Sequence, residues 1–355
     1  MKLLKIFAVI YLAFVINSFS QNVNPNFDYT GIEQFYKVIT LLERNQEPTA
    51  RQWEKLFNTP GYKVLTSGEF TKEYFKKKFK LVFMPSKSKD LRRELKNRKD
   101  ISHLSHFIKV RDNKRKVLRQ LENLKRTPYN KEAIQRTLKF LPQNYVNQYP
   151  PVAFVIFENN GRGSSPIVVD LAASMQWDFV SFLSHEFHHW YRNRQMKFNY
   201  RNVSNNDLYL VQALDHIEAE GIADMVDKRD WFTKASNSVS TYARSFIDDV
   251  SRTPYVIKQM DELLISANEY PNNRKQIGRK ILQLLPQKGH TTGYFMASLI
   301  LETLGKNKLV DCLGNPFKFI LTYNKAAKIN GRYPSFSSKA LTVIKELNSG
   351  YSIKK

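Results

Sequence analysis

The chain has one cysteine, Cys312, among 355 residues. No intrachain disulfide can form, and a zinc site built wholly of thiolates is excluded. Acidic residues are scarce beside basic ones: 32 Asp and Glu stand against 56 Lys and Arg, a formal charge of +24. Long apolar runs are missing too. Ile6 to Ile16 is an apolar run of eleven, broken only by Tyr11, about half of the ~20 residues a bilayer crossing needs, and no later segment comes closer. Internal repeats and low-complexity segments are absent. What is present is a globular composition, 42% hydrophobic and 13% aromatic, which excludes a largely disordered or fibrous protein. The length is enough for two or three lobes with a buried core.

The N-terminus reads as an address. Lys2 and Lys5 precede the apolar run, and Ser18-Phe19-Ser20 places small residues ahead of Gln21. These are the three regions of a secretory signal peptide, expected over residues 1–20 with cleavage near Ser20. No cysteine follows the run, so lipidation of the bacterial lipoprotein kind is not expected. The mature chain is expected to lack a transmembrane segment and to be exported, to the periplasm or beyond it.

The remainder reads as mainly α with a small β-sheet. Residues 21–149 form a basic helical region. Within it Glu33 to Arg44 is amphipathic, Thr49 and Gln52 form a capping box ahead of Trp53 and Leu56, and Pro60-Gly61 is expected to end that unit. Phe70 to Phe83 repeats the helical pattern. Residues 72–126 hold 20 Lys and Arg against 6 Asp and Glu, yet leucines recur there at helical spacing, which indicates exposed basic helices. Near residue 150 the pattern changes: Val152 to Phe157 and Ile167 to Val169 read as strands around an Asn159-Asn160-Gly161 turn. Helical periodicity returns after Trp177. A catalytic core is expected over 150–235 and a helical subdomain over 236–355.

Residues 185–189 match H-E-x-x-H. Positions four apart share a helix face, so His185 and His189 can present imidazole nitrogens to one metal ion, with Glu186 beside them as a proton-accepting carboxylate. Val180, Leu183, Phe187 and Tyr191 form a core stripe on the other side. A catalytic zinc site needs a third protein ligand and an open position. The next helix, Leu208 to Asp227, carries Glu218-Ala219-Glu220-Gly221-Ile222-Ala223-Asp224. Glu220 is the favoured ligand, and Asp224, four residues on, would accept the far N–H of a ligating histidine. Small Gly221 and Ala223 would let the two helices approach. Glu218 lies about 200° round the helix from Glu220, so only one of the two can face the site. His216, on the Glu220 face, remains a competitor. His188 is a neighbour, because His189 gives the spacing that places Glu186. Metzincin spacing would need glycine at 192 and histidine at 195, where the chain has Arg192 and Gln195.

HEFHH followed by EGIAD resembles the gluzincin metallopeptidases, in particular a family of zinc-dependent peptidases of bacteria. The resemblance is strongest over about residues 177–228. It extends loosely to Trp53–Tyr62 (WEKLFNTPGY) and to Gly293-Tyr294. It implies a zincin-like fold, one zinc ion per chain held by His185, His189 and Glu220, and Glu186 as catalytic base. The 31-residue gap from His189 to Glu220 is longer than in thermolysin-like members, so an insertion, Asn199 to Asp207, is expected to loop out.

The chemistry expected is peptide hydrolysis by a zinc-activated water, Glu186 moving its proton to the leaving amine. An oxyanion donor is also needed, and His290 and Tyr294 are the candidates. Ile167–Asp170 is expected to act as an edge strand for an extended peptide or protein substrate. The alternatives are a polyanion-binding protein and a non-catalytic zincin-like scaffold. Segment 72–126 suits accessory contact with anionic surface polymers, whereas no specific nucleic-acid partner is expected because no base-reading motif occurs.

Overall fold

The computed structural model describes residues 24, 26–97, 101–143, 149–176, 178–233 and 240–353. The expected signal peptide lies outside these residues. By their contacts the residues form two units: one runs to Glu132 and takes in Pro151–Phe179, and the other comprises Ala133–Pro150 and Val180–Lys355.

The first unit wraps helices around a small sheet. Its helices are α1 (Thr30–Glu43), α2 (Ala50–Phe57), α3 (Pro60–Thr66), α4 (Lys72–Phe83), α5 (Ser88–Lys96), α6 (Ile101–Asp112), α7 (Lys114–Arg126) and the start of α8 (Tyr129–Thr137). Each forms where apolar residues recur at helical spacing. In α1, Ile32, Phe35, Val38, Ile39 and Leu42 are all buried. The capping box is present: the Thr49 hydroxyl accepts from Gln52 N, and Thr49 N donates to Gln52 Oε1 at 2.7 Å. The unit opened at Thr49 ends at Phe57, just ahead of Pro60. Pro60 occupies the first turn of α3, where its missing N–H costs nothing. Phe35, Phe75, Phe79, Phe83 and Phe107 interlock, mostly edge to face, at the centre.

The sheet has the order β1 (Phe27–Asp28), β2 (Val152–Val155), β4 (Ile167–Asp170), β3 (Gly161–Arg162). β2 is parallel to both β1 and β4, and β3 returns antiparallel onto β4. Two expectations change here. First, β4 is not an edge strand. Its two sides are taken by β2 and β3, and all four of its residues are buried, so it has no free row of backbone groups for a substrate. Second, the strands after residue 150 group with the residues up to Glu132 and not with the helices that follow Phe179. Phe27 and Asp28 pair with Val152 and Ala153, which ties the sheet to the N-terminal helices.

The second unit is helical: α9 (Phe179–Asn193), α10 (Leu208–Asp227), α11 (Thr241–Glu269), α12 (Arg274–Leu284), α13 (His290–Leu304), α14 (Lys306–Val310), α15 (Pro316–Asn330) and α16 (Ser338–Tyr351). The stripe Val180, Leu183, Phe187 and Tyr191 of α9 is buried. α10 and α13 meet backbone to backbone: a Cβ at Gly221 would sit on Gly293, and one at Gly293 on the Ile217 carbonyl. Gly221 therefore serves the contact with α13, not the approach of α9 to α10 expected from its size. This packing also carries the unit across residue 235 without a break. The segment 199–207 does loop out. Tyr200–Asn202 makes a 3-10 turn, and the loop is anchored by Asn206 Nδ2 on the Pro271 carbonyl at 2.7 Å and by Tyr351 OH on Asp207 Oδ2 at 2.6 Å. No described helix is long and apolar enough to cross a membrane.

Candidate metal centre

The centre lies wholly in the second unit. α9 buries its apolar stripe and so turns His185 and His189 to the opposite side. α9 is tied to α10 by Arg192, whose Nε donates to Glu218 Oε2 at 2.9 Å and whose Nη2 reaches Asp215. Glu218 Oε1 accepts from Gly314 N at 2.9 Å, and Tyr200 OH donates to Asp215 Oδ2 at 2.8 Å. Glu218 is thus spent on a buried structural pair, and Glu220, on the other side of α10, is left to face the histidines. The geometry separates the competing third-ligand candidates in the same way: His216 packs beside Gly289 and no contact joins it to the histidine pair among the described residues.

Three atoms converge. His185 Nε2 lies 3.0 Å from His189 Nε2, His189 Nε2 lies 3.1 Å from Glu220 Oε2, and Glu220 Oε2 lies 3.3 Å from His185 Nε2. Tetrahedral zinc with bonds of ~2.0–2.1 Å sets its ligand atoms roughly 3.3 Å apart. Two imidazole nitrogens and one carboxylate oxygen at nearly that spacing form the face of such a tetrahedron, so the donor set fits zinc.

A second layer surrounds this face. His185 Nδ1 is 3.3 Å from Asp227 Oδ1 and 3.4 Å from Asp224 Oδ1. Lys228 Nζ bridges the two carboxylates, at 2.5 Å to Asp224 and 2.9 Å to Asp227. His290 Nδ1 is 3.0 Å from Asp224 Oδ2 and 3.4 Å from Glu220 Oε2, and its ring lies over that of His185 at 5.7 Å. His185, Glu220, Asp224 and His290 also qualify together as a metal-holding group, each offering a ligand atom within 4.8 Å of the others. Glu186 is half-buried, and its carboxylate has no hydrogen bond or ion pair among the described residues.

The electrostatics follow from this crowding. Burial, then Lys228, works against a charged His185, but the Asp227 and Glu220 carboxylates prevail and its pKa rises well above the ordinary value. Burial would raise the Glu220 pKa, yet His189, His185 and His290 hold it well below the usual carboxylate range. Burial opposes the charge of Lys228, and the adjacent Asp224 and Asp227 outweigh it and raise its pKa. His188 is wholly buried on the core side, where burial and then the charges of His189, His185 and Arg192 keep it neutral.

Tyr294 is not brought to this centre. Its ring stacks on Phe232 at 4.8 Å and meets Phe246 edge-on. Burial, partly offset by a hydrogen bond with Ser298, pushes its phenol up to about 12. It faces a cavity of about 620 Å³ shared with Phe140, Met225 and Arg229, which none of the three converging residues lines. Sequence reasoning missed Asp227, Lys228 and Arg192. The first had a signal: Glu220, Asp224 and Asp227 stand at i, i+4 and i+7, one face of α10.

Residues 53–331 match the family described as "Putative zinc dependent peptidase (DUF5700)". The chain belongs to this family. The match runs from within α2 through the centre, and the family's description agrees with a donor set suited to zinc. No characterised protein and no solved structure matches the chain significantly.

Proposed function

We propose that this member of the zinc-dependent peptidase family is an exported metallopeptidase of gluzincin type and zincin-like fold, in which His185, His189 and Glu220 hold one zinc ion. The convergence of their three donor atoms at 3.0 to 3.3 Å carries the reading. Of the two overlapping ligand sets, the one with Asp224 and His290 is less apt. Asp224 already neutralises Lys228 at 2.5 Å, and a second cation there would compete with the ammonium.

Bound zinc supplies Lewis acidity and brings the pKa of a water down to about 7. The chain supplies the rest. Glu186, one residue from a proposed ligand and without a partner among the described residues, accepts the proton of the attacking water and passes it to the leaving amine. Asp227 and Asp224 orient His185 through Nδ1, which fixes the tautomer that leaves Nε2 free. Asp224 also pairs with His290 Nδ1. His290 is then the candidate donor to the oxygen that gains charge as the carbonyl is attacked.

The test is Glu186→Gln, assayed on a casein or peptide pool with the zinc content measured alongside. The expected result is unchanged zinc and turnover lower by about 10²–10⁴-fold. Wild-type turnover in a zinc-loaded variant would rule this mechanism out.

A further inference from the structure

We propose that the first unit binds a linear acidic polysaccharide through two basic faces, the outer sides of α5 and α7. The inference is independent of the peptidase reading. Its starting point is charge: 20 basic and 6 acidic residues over 72–126. Several of these cations are already paired. Lys87 and Arg93 share Asp90, Lys114 holds Glu43, and Lys125 reaches Glu122. Other exposed cations have no carboxylate partner among the described residues: Lys77, Lys109 and Lys116, and six that share helix faces, Lys89, Arg92 and Lys96 on α5 and Arg115, Arg119 and Arg126 on α7.

These six are not scattered. At about 100° per residue, Arg115, Arg119 and Arg126 fall within roughly 40° of one another, opposite the buried stripe Val117, Leu121 and Leu124, and Glu122, in the same arc, is paired with Lys125. Lys89, Arg92 and Lys96 cluster in the same way, away from buried Leu91. Neighbouring cations on α5, and Arg115 and Arg119 on α7, recur every ~4.5–6 Å along the axis. That interval is comparable to the length of one sugar residue, and guanidinium forks pair with carboxylates, as with phosphates, in two-point contact.

What accompanies the cations narrows the partner. Phe75, Phe79, Phe83 and Phe107 are buried in the core, Tyr74 is half-buried against Phe70 and His103, and neither α5 nor α7 carries an aromatic residue. No aromatic platform is left for stacking bases, which single-stranded nucleic acid would use. Beside the α7 cations the one exposed large apolar side chain is Leu118, too little to insert into a lipid surface. A polymer of carboxylates or sulfates on a hydroxylated backbone needs neither.

The experiment measures binding of the zinc-loaded full chain to heparin as a function of salt. Two variants each lose three cations, Arg115, Arg119 and Arg126 in one and Lys89, Arg92 and Lys96 in the other, all changed to Gln. A control loses Lys306, Lys308 and Lys325 of the second unit, all exposed. At about 150 mM salt each of the first two should bind at least ~10-fold more weakly, with the log–log salt slope smaller by roughly two units, whereas the control stays within about twofold. Melting temperatures and peptidase activity should not change. Equal weakening in the control would mean that net charge, not these faces, binds the polymer, and would overturn the proposal. So would binding insensitive to salt, or stronger competition at equal charge from anionic vesicles, inorganic polyphosphate or single-stranded DNA than from heparin.

Discussion

At the level of single residues, the centre works by opposing charges in a buried space. The His185 pKa is raised in the metal-free chain because Asp227 and Glu220 outweigh burial and Lys228, while Glu220 is held well below the usual range and stays ionised. On the proposed ligand set zinc needs a neutral His185 imidazole, so around neutral pH it must displace the His185 proton. The sign follows: affinity falls as pH drops and rises with pH until His185 is neutral without metal, Glu220 adding nothing to the slope. The expected gain is about one unit in log affinity per pH unit between about pH 6 and 7, measured by competition with a chelating dye. A flat profile would mean that zinc displaces no proton from His185. The two oxyanion candidates also separate at this scale. His290 contacts Asp224 and Glu220, whereas Tyr294 lies against Phe232 and Phe246. His290→Ala should cost about 10²–10³-fold in kcat with zinc retained, and Tyr294→Phe only a few-fold. The reverse order in steady-state kinetics would move the donor to Tyr294.

At the level of elements, two contacts set the position of the ligand helices. Gly221 and Gly293 let α10 and α13 touch through their backbones, which brings His290 to Asp224. Arg192 joins α9 to α10 through Glu218 and Asp215, only three residues beyond His189 and two before Glu220. This buried pair is a register device for the His189–Glu220 spacing. Arg192→Met leaves Glu218 buried without its cation and should cost about 3–5 kcal/mol in denaturant unfolding. Adding Glu218→Gln should recover part of that loss, because the stranded charge is gone. A loss under about 1 kcal/mol in the single variant would show that the clamp does not hold the helices together.

At the level of the whole molecule, what could be read from the sequence was local. The capping box at Thr49, the stripe from Val180 to Tyr191 and the common face of His185 and His189 are written in spacings of three and four residues. The bounds of α10 were legible for the same reason. The partition of the chain was not. Phe27 pairs with Val152 across more than a hundred residues, and no periodicity records that contact. Nor does any local pattern show that Gly161 and Arg162 return to cover β4, which removed the expected edge. Glu218 looked like a rival ligand because its partner, Arg192, lies on another helix. The basic stretch reads in sequence as a net charge only. The helices turn part of it into two ordered faces.

The most direct test of the metal centre is elemental analysis of the purified mature chain beside its Glu220→Ala variant, both reconstituted with zinc at neutral pH and desalted. The expected result is about one zinc per wild-type chain, with the variant depleted or binding about 10–100-fold more weakly. A wild-type chain that retains no zinc, or a variant that retains it as tightly, would contradict the assignment of His185, His189 and Glu220 as the site.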